Sequence, residues 1–250
     1  MENSLPQFRY FLKDSIRQKI NFRMTDQSEG KPPPPIEKPF RDDSLRIDLV
    51  TKEHWHHISN VGIITAIENR KSHRHFKPAA LSLEELSFLL WATQGIKNVT
   101  SNGTAYRTVP SAGCRHAFET YLCILNVEGL KRGIYRYLPI EHQLLIERES
   151  ENISDEIIEA TFHQSFTGRG AVTFIWAVIP YRMEWRYHLA AHKVIAIDIG
   201  HVCQNLYLAC AAVGSGTCAV GAYHQELMDN LIAVDGENEF TIYLAAVGKI

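Results

Sequence analysis

Gly214-Ser215-Gly216-Thr217-Cys218-Ala219 is the stretch on which the fold turns. By spacing alone it fits G-x-G-x-x-A, the glycine pattern of a dinucleotide-binding turn. That pattern works only after a strand and ahead of a helix, where the helix N-terminus meets the pyrophosphate. Here the order is reversed. Residues 186–213 read as one long, mostly apolar helix running straight into the glycines. The glycines therefore read as a helix C-cap and a loop whose backbone amides face something flat.

Working outward, residues 240–247 read as the last strand and residues 171–179 as a central one. The latter run is continuously apolar and rich in β-branched and aromatic residues, as in a strand buried on both faces. Residues 154–164 predict a helix with Ile157, Ile158 and Phe162 inward. Two strands are expected at 121–127 and 133–137, the second stopped by Pro139. Ser82-Leu83-Glu84-Glu85 matches a capping box, opening a helix with Leu86, Leu89 and Leu90 that stops at Gly95. Val61, Ile64 and Ile67 recur at helical spacing, and that helix should end near Arg70. Residues 101–108 read as a polar loop. Helices come first and then mix with strands, without strict βαβ alternation, which favours an α+β fold.

Residues 1–55 differ from the rest. Pro32-Pro33-Pro34-Pro35 cannot sit inside a helix or a central strand. We read 1–55 as an extended arm with a polyproline linker, draped on the surface or crossing to a partner subunit, and 56–250 as the globular domain. Within the arm, residues 8–12 read as a short helix. The 250 residues are 45% hydrophobic and 22% charged, which excludes wholesale disorder, collagen and a coiled-coil rod. A net charge of -2 gives no global field for nucleic acid or an anionic membrane. No apolar run approaches the roughly 20 residues of a membrane span, and residues 1–15 lack the apolar core of a secretory signal. Five cysteines without C-x-x-C spacing read as reduced thiols in the cytoplasm.

Arg70-Lys71-Ser72-x-Arg74 places three cations and a hydroxyl just past a helix end. The group has the makings of a phosphate clamp. Taken alone it reads first as a cationic helix terminus complementing the macrodipole. Pro110-Ser111-Ala112-Gly113 reads alone as a tight turn, though small residues there also let backbone approach a flat ligand. His188 and His192 are four apart on the long helix, the spacing of paired zinc ligands. H-E-x-x-H and G-x-S-x-G are absent, and no metal is expected.

Four segments in order are similar to the nitroreductase superfamily, closest to its SagB-type dehydrogenase branch. They are residues 70–76, 107–113, 198–206 and 214–223, and the likeness spans about 60–248. The resemblance implies a central, mostly antiparallel sheet flanked by helices. It also implies FMN in an intertwined homodimer with two interface sites. Arg70, Lys71, Ser72 and Arg74 would hold the phosphate and nearby flavin polar groups. Pro110, Ser111, Ala112 and Gly113 would lie against the isoalloxazine from the other subunit. The backbone of Ala219, Val220, Gly221 and Ala222 would face the flavin N5 edge. Many relatives also place a basic phosphate ligand beyond the last strand, and Lys249 is the nearby candidate.

In azoline-oxidising relatives a Lys-Tyr pair supports proton removal before the long helix. Here the pair reads Arg186-Tyr187. Arginine does not act as a base near neutral pH, so Arg186 is left to bind an anion and Tyr187 to move a proton. For both to act together the segment should be non-helical, since neighbours on a helix do not share a face. The implied activity is FMN-dependent transfer of hydride from NADH or NADPH to a small organic acceptor. Alternatives are oxidation of a peptide-derived heterocycle and a flavin-binding scaffold without turnover.

Overall fold

A central strand buried on both faces organises the molecule. A computed structural model describes residues 5–100 and 103–250. In chain order its elements are α1 (Leu5–Leu12), β1 (Arg46–Asp48), α2 (Ile63–Asn69), α3 (Leu83–Gln94), β2 (Ile96–Val99), β3 (Ala105–Arg107), β4 (Phe118–Ile124), β5 (Gly133–Leu138), β6 (Gln143–Glu149), α4 (Ile153–Ala160), β7 (Val172–Val178), α5 (Tyr181–Tyr187), α6 (Ala191–Ala212), β8 (Ser215–Val220), α7 (Gln225–Leu231) and β9 (Phe240–Lys249). Seven strands form one sheet in the order β1-β6-β5-β4-β7-β9-β8, every neighbouring pair antiparallel. On β7, Phe174 and Trp176 face one core and Ile175 and Ala177 the other, which accounts for its unbroken apolar run. Leu86, Leu89 and Leu90 of α3, with Ile195, Ile199, Val202 and Leu206 of α6, fill the first core. Ile153 and Ile157 of α4, with Met228 and Leu231 of α7, fill the second. The architecture is α+β.

The capping box forms as read: Glu85 N–H donates to Ser82 Oγ, and Ser82 N–H to the Glu85 carboxylate. Several expectations need correcting. The long helix is two, because His188 takes a left-handed φ of 47° that ends α5 before α6 begins. The same break removes the His188/His192 pair from one helix, and His192 instead meets Glu184 at 2.7 Å. The glycines after α6 are not a loop; residues 215–220 are edge strand β8, paired along its length with β9. Gly216 is needed there because a Cβ would lie 2.5 Å from the His73 ring. Lastly, α4 stops at Ala160, so Phe162 is 58% exposed rather than inward. Residues 101–108 are likewise more ordered than a loop: β3 pairs with β2 as a hairpin, although residues 101 and 102 lie outside the described residues.

Ile63, Ile64 and Ile67 of α2 are 58–79% exposed, and only Ala66 of that helix is buried. The helical stretch Tyr181–Ala212 is long and apolar enough to match a membrane span, its best 18-residue window reaching a mean hydropathy of 1.4. It is no continuous apolar run, since Arg186, Lys193 and Asp198 interrupt it. Its apolar row is turned onto the sheet and it is interrupted at His188. The arm folds back on its own chain. Gln27 N–H donates to Trp185 O, Trp185 Nε1 to Lys31 O, and Arg107 Nη2 to Ile36 O. Arg136 donates to the carbonyls of Lys38 and Pro39.

Candidate functional site

One half of the site forms where the chain leaves α2. Arg70 sits at the helix end, and the next residues lie along the outer edge of β8. Ser72 bridges Thr217 in parallel, and His73 N–H donates to Thr217 O at 3.0 Å. Tyr207 of α6 ties the junction together. Its hydroxyl accepts from Ala219 N–H at 3.0 Å and lies 2.9 Å from Ser72 Oγ. The Tyr207 and Ser72 hydroxyls share one hydrogen bond that either can donate. The Arg70 guanidinium stacks 5.4 Å from the Tyr207 ring centre, and Arg74 lies 5.9 Å from that of Phe166. Arg70, Lys71, Ser72 and Arg74 are exposed, and none of the three cations has a carboxylate partner among the described residues. A cleft of about 320 Å³ opens beside them, lined by Arg70, Lys71, His73, Tyr207 and residues 214–217. Burial, and secondarily Lys71, lowers the His73 pKa, so the imidazole adds no charge at neutral pH.

Residues 219–222 carry the end of β8 into the open. Val220 is buried, whereas Gly221 and Ala222 are exposed. The Ala219 amide is already bonded to Tyr207 and is not a free donor. The Ala222 carbonyl accepts from Gln164 at 2.8 Å. Lys249 is not free for a phosphate either: its ammonium contacts Glu85 and donates to the Val213 carbonyl at 2.7 Å.

The other half is the turn holding Pro110, Ser111, Ala112 and Gly113. Asp198 of α6 anchors it, accepting from Ala112 N–H at 3.1 Å and from Ser111. Burial raises the Asp198 pKa, against the pull of those hydrogen bonds. Ser111 Oγ also accepts from His116 N–H at 3.0 Å. Gly113 takes φ +57°, and a Cβ there would sit 2.6 Å from the Tyr187 hydroxyl and 2.7 Å from Arg186 Cδ. Both candidate side chains thus press on one glycine. The segment is helical, contrary to expectation, but Tyr187 is the last residue of α5, with φ -114° and ψ -4°, and the chain reverses at His188. The end of the helix, rather than its absence, brings the two neighbours together.

Asp198 and Tyr207 are nine residues apart on α6, about 13 Å along its axis and on opposite faces. One chain therefore carries two half-sites that point apart. The structure brings Arg70 and Ser72 to the Ala219 strand end, and Arg186 and Tyr187 to Gly113. It does not bring the first set to the second. Sequence reasoning missed Tyr207, which carries no local signal, and the anchoring role of Asp198. It also missed Arg115, a cation directly after the small-residue turn.

Among known proteins the chain falls with the oxidoreductases. Residues 67–249 match the model of the Nitroreductase family, and the chain belongs to that family. It is 28% identical over 192 residues to a protein named as nitroreductase MJ1384 of Methanocaldococcus jannaschii, covering 77% of this chain and 93% of the relative. It is 25% identical over 166 residues to the trifolitoxin-processing protein TfxB of Rhizobium leguminosarum bv. trifolii, covering 63% of this chain but only 44% of TfxB. A solved structure from Ralstonia eutropha JMP134, named as a nitroreductase, shares the fold with a TM-score of 0.67 at 24% identity, covering 87% of this chain and 93% of that one.

Proposed function

We propose that this protein is an FMN-dependent oxidoreductase, working as a homodimer that moves electrons from NADH or NADPH to a small organic acceptor. The observation that carries this is the junction of Ser72, Tyr207 and the Ala219 amide beside three cations without a carboxylate partner among the described residues. These residues fit the group. A phosphate dianion would satisfy Arg70, Lys71, Ser72 and Arg74, whose charges the fold leaves open, and Gly113 and Ala112 give a small-residue surface for a flat ring. Bound FMN would supply hydride acceptance and donation at N5.

The chain's own residues do the remainder. Tyr207 holds Ser72 against β8, and Asp198 fixes the turn that carries Gly113. Tyr187 holds a hydroxyl at Gly113 where it can exchange a proton. The two half-sites diverge across α6, so a complete site joins the Tyr207 side of one subunit to the Asp198 side of its partner. The exposed face of Ile63, Ile64 and Ile67 supplies apolar area for such a contact. We place the protein in the cytoplasm, in keeping with its five unbridged cysteines.

A second reading, dehydrogenation of a peptide-derived heterocycle in the SagB manner, is favoured by the similarity to TfxB and by the Tyr187 hydroxyl at Gly113. Mass spectrometry of the cofactor released from purified protein tests the first claim, with FMN expected; protein without flavin refutes both readings. Anaerobic addition of NAD(P)H should bleach the yellow protein. Colour that persists selects the dehydrogenase or a scaffold without turnover. Tyr187→Phe then separates those two, since only a dehydrogenase loses about 10²–10⁴-fold in its oxidative half-reaction.

A further inference from the structure

The turn that carries Gly113 is backed by more positive charge than the fold neutralises. Arg182 is buried against Glu119. Arg107 is buried too, but it meets neutral oxygens, Gln94 Oε1 at 2.9 Å and the Ile36 carbonyl at 2.6 Å. Arg115 has less still. It is 6% exposed, its Nε is fully buried, and none of its side-chain nitrogens makes a hydrogen bond or ion pair among the described residues. Its guanidinium lies 5.0 Å from the Trp185 ring centre. The strongest charge acting on it is another cation, Arg186, which donates to Gln27 Oε1 at 3.2 Å.

Nothing in the turn supplies the missing anion. His116 is held neutral, its pKa pushed down to about 3 by burial and then by Arg107 and Arg115. Burial raises the Cys114 thiol, which stays protonated. A buried guanidinium without a partner is costly, and Arg115 is one; with the half-buried Arg186, bonded only to a neutral amide, it offers planar forks suited to a carboxylate beside a tyrosine hydroxyl and a glycine turn.

We propose that Arg115 and Arg186 form a carboxylate-binding pocket beside Gly113 and Tyr187, so that the substrate presents a carboxylate, as a small organic acid or at a peptide C-terminus. This rests on the function proposed above only in treating this half-site as the substrate side. The test needs neither turnover nor bound flavin. Purified protein is titrated at constant ionic strength with benzoate and with benzamide, and with N-acetylglycylglycine and its C-terminal amide, following tryptophan emission because Trp185 lies under Arg115.

At least one acid should bind about tenfold or more tightly than its amide, as expected for charge-assisted paired hydrogen bonds. Arg186→Gln should bring acid and amide within about threefold, while Arg186→Lys, keeping charge but losing the fork, should retain part of the preference. A preference for benzoate alone assigns small acids, and one for the dipeptide alone assigns peptide termini. Equal binding of acids and amides by the unaltered chain, or a preference that survives Arg186→Gln, overturns the pocket. A yellow protein that bleaches with NAD(P)H but shows no acid preference loses only this inference. A colourless protein with the preference loses only the flavin reading.

Discussion

Replacing Gly113 with alanine strikes both the backbone and the packing of the turn. At φ +57° an L-residue is disfavoured by about 1–2 kcal/mol. The new Cβ would also lie 2.6 Å from the Tyr187 hydroxyl, 2.7 Å from Arg186 Cδ and 2.8 Å from Arg186 Nε, all well inside van der Waals contact. These are side-chain atoms, so they can retreat, at about 0.5–1.5 kcal/mol for a rotamer pushed from its well. Together the terms suggest roughly 2–3 kcal/mol, which for a chain of this size lowers Tm by about 5–10 °C. Displacing Tyr187 and Arg186 should also reduce turnover by more than the stability loss accounts for. Thermal unfolding followed by circular dichroism, with steady-state rates taken well below the new Tm, measures both effects. An unchanged Tm with wild-type rates would refute the contact of these two side chains with Gly113.

Tyr207→Phe removes the hydroxyl between Ser72 and the Ala219 amide and should weaken FMN binding by about 1–2 kcal/mol, read by flavin fluorescence quenching; equal affinity would show that the junction is unimportant to the ligand. Arg70→Ala should weaken FMN about tenfold or more while leaving the fold intact, and unchanged affinity in both it and Arg74→Ala would return the segment to a simple helix end. Glu37 accepts from Ile140 N–H at 3.1 Å, yet burial raises its carboxyl to about 7 from 4.5. A raised folded-state pKa contributes stability that is complete below about pH 4.5 and is lost as pH rises through about 7. Tm should therefore fall between about pH 4.5 and 7 and level off above, and Glu37→Gln should flatten that fall; a mutant profile parallel to wild type would contradict it.

What was legible in the sequence was local or periodic. Ser82 and Glu85 satisfy each other within one turn, so the start of α3 needs no tertiary context. The apolar run of β7 states its burial on both faces directly. What stayed hidden depends on partners distant in sequence. His188 carries no helix-breaking chemistry, yet its φ of 47° ends α5. The small residues of β8 have weak strand preference, and their pairing with β9 overrides it. For the site, the cationic segment and the small-residue turn were readable as motifs. Their placement on opposite faces of α6 was not, because it depends on which turn of one helix each motif meets. Tyr207 and Arg115 matter through neighbours seventy or more residues away in the chain, a range that local pattern does not reach.

The proline-rich arm has one further chemical meaning. An extended segment of this kind has no internal hydrogen bonds, so its carbonyls point outward with free lone pairs. Here the carbonyls of Lys31, Ile36, Lys38 and Pro39 are turned onto Trp185 Nε1, Arg107 and Arg136. The arm thereby stands in for a hydration layer. It solvates cations that the fold has withdrawn from water, using dipoles that stay fixed where water molecules would exchange.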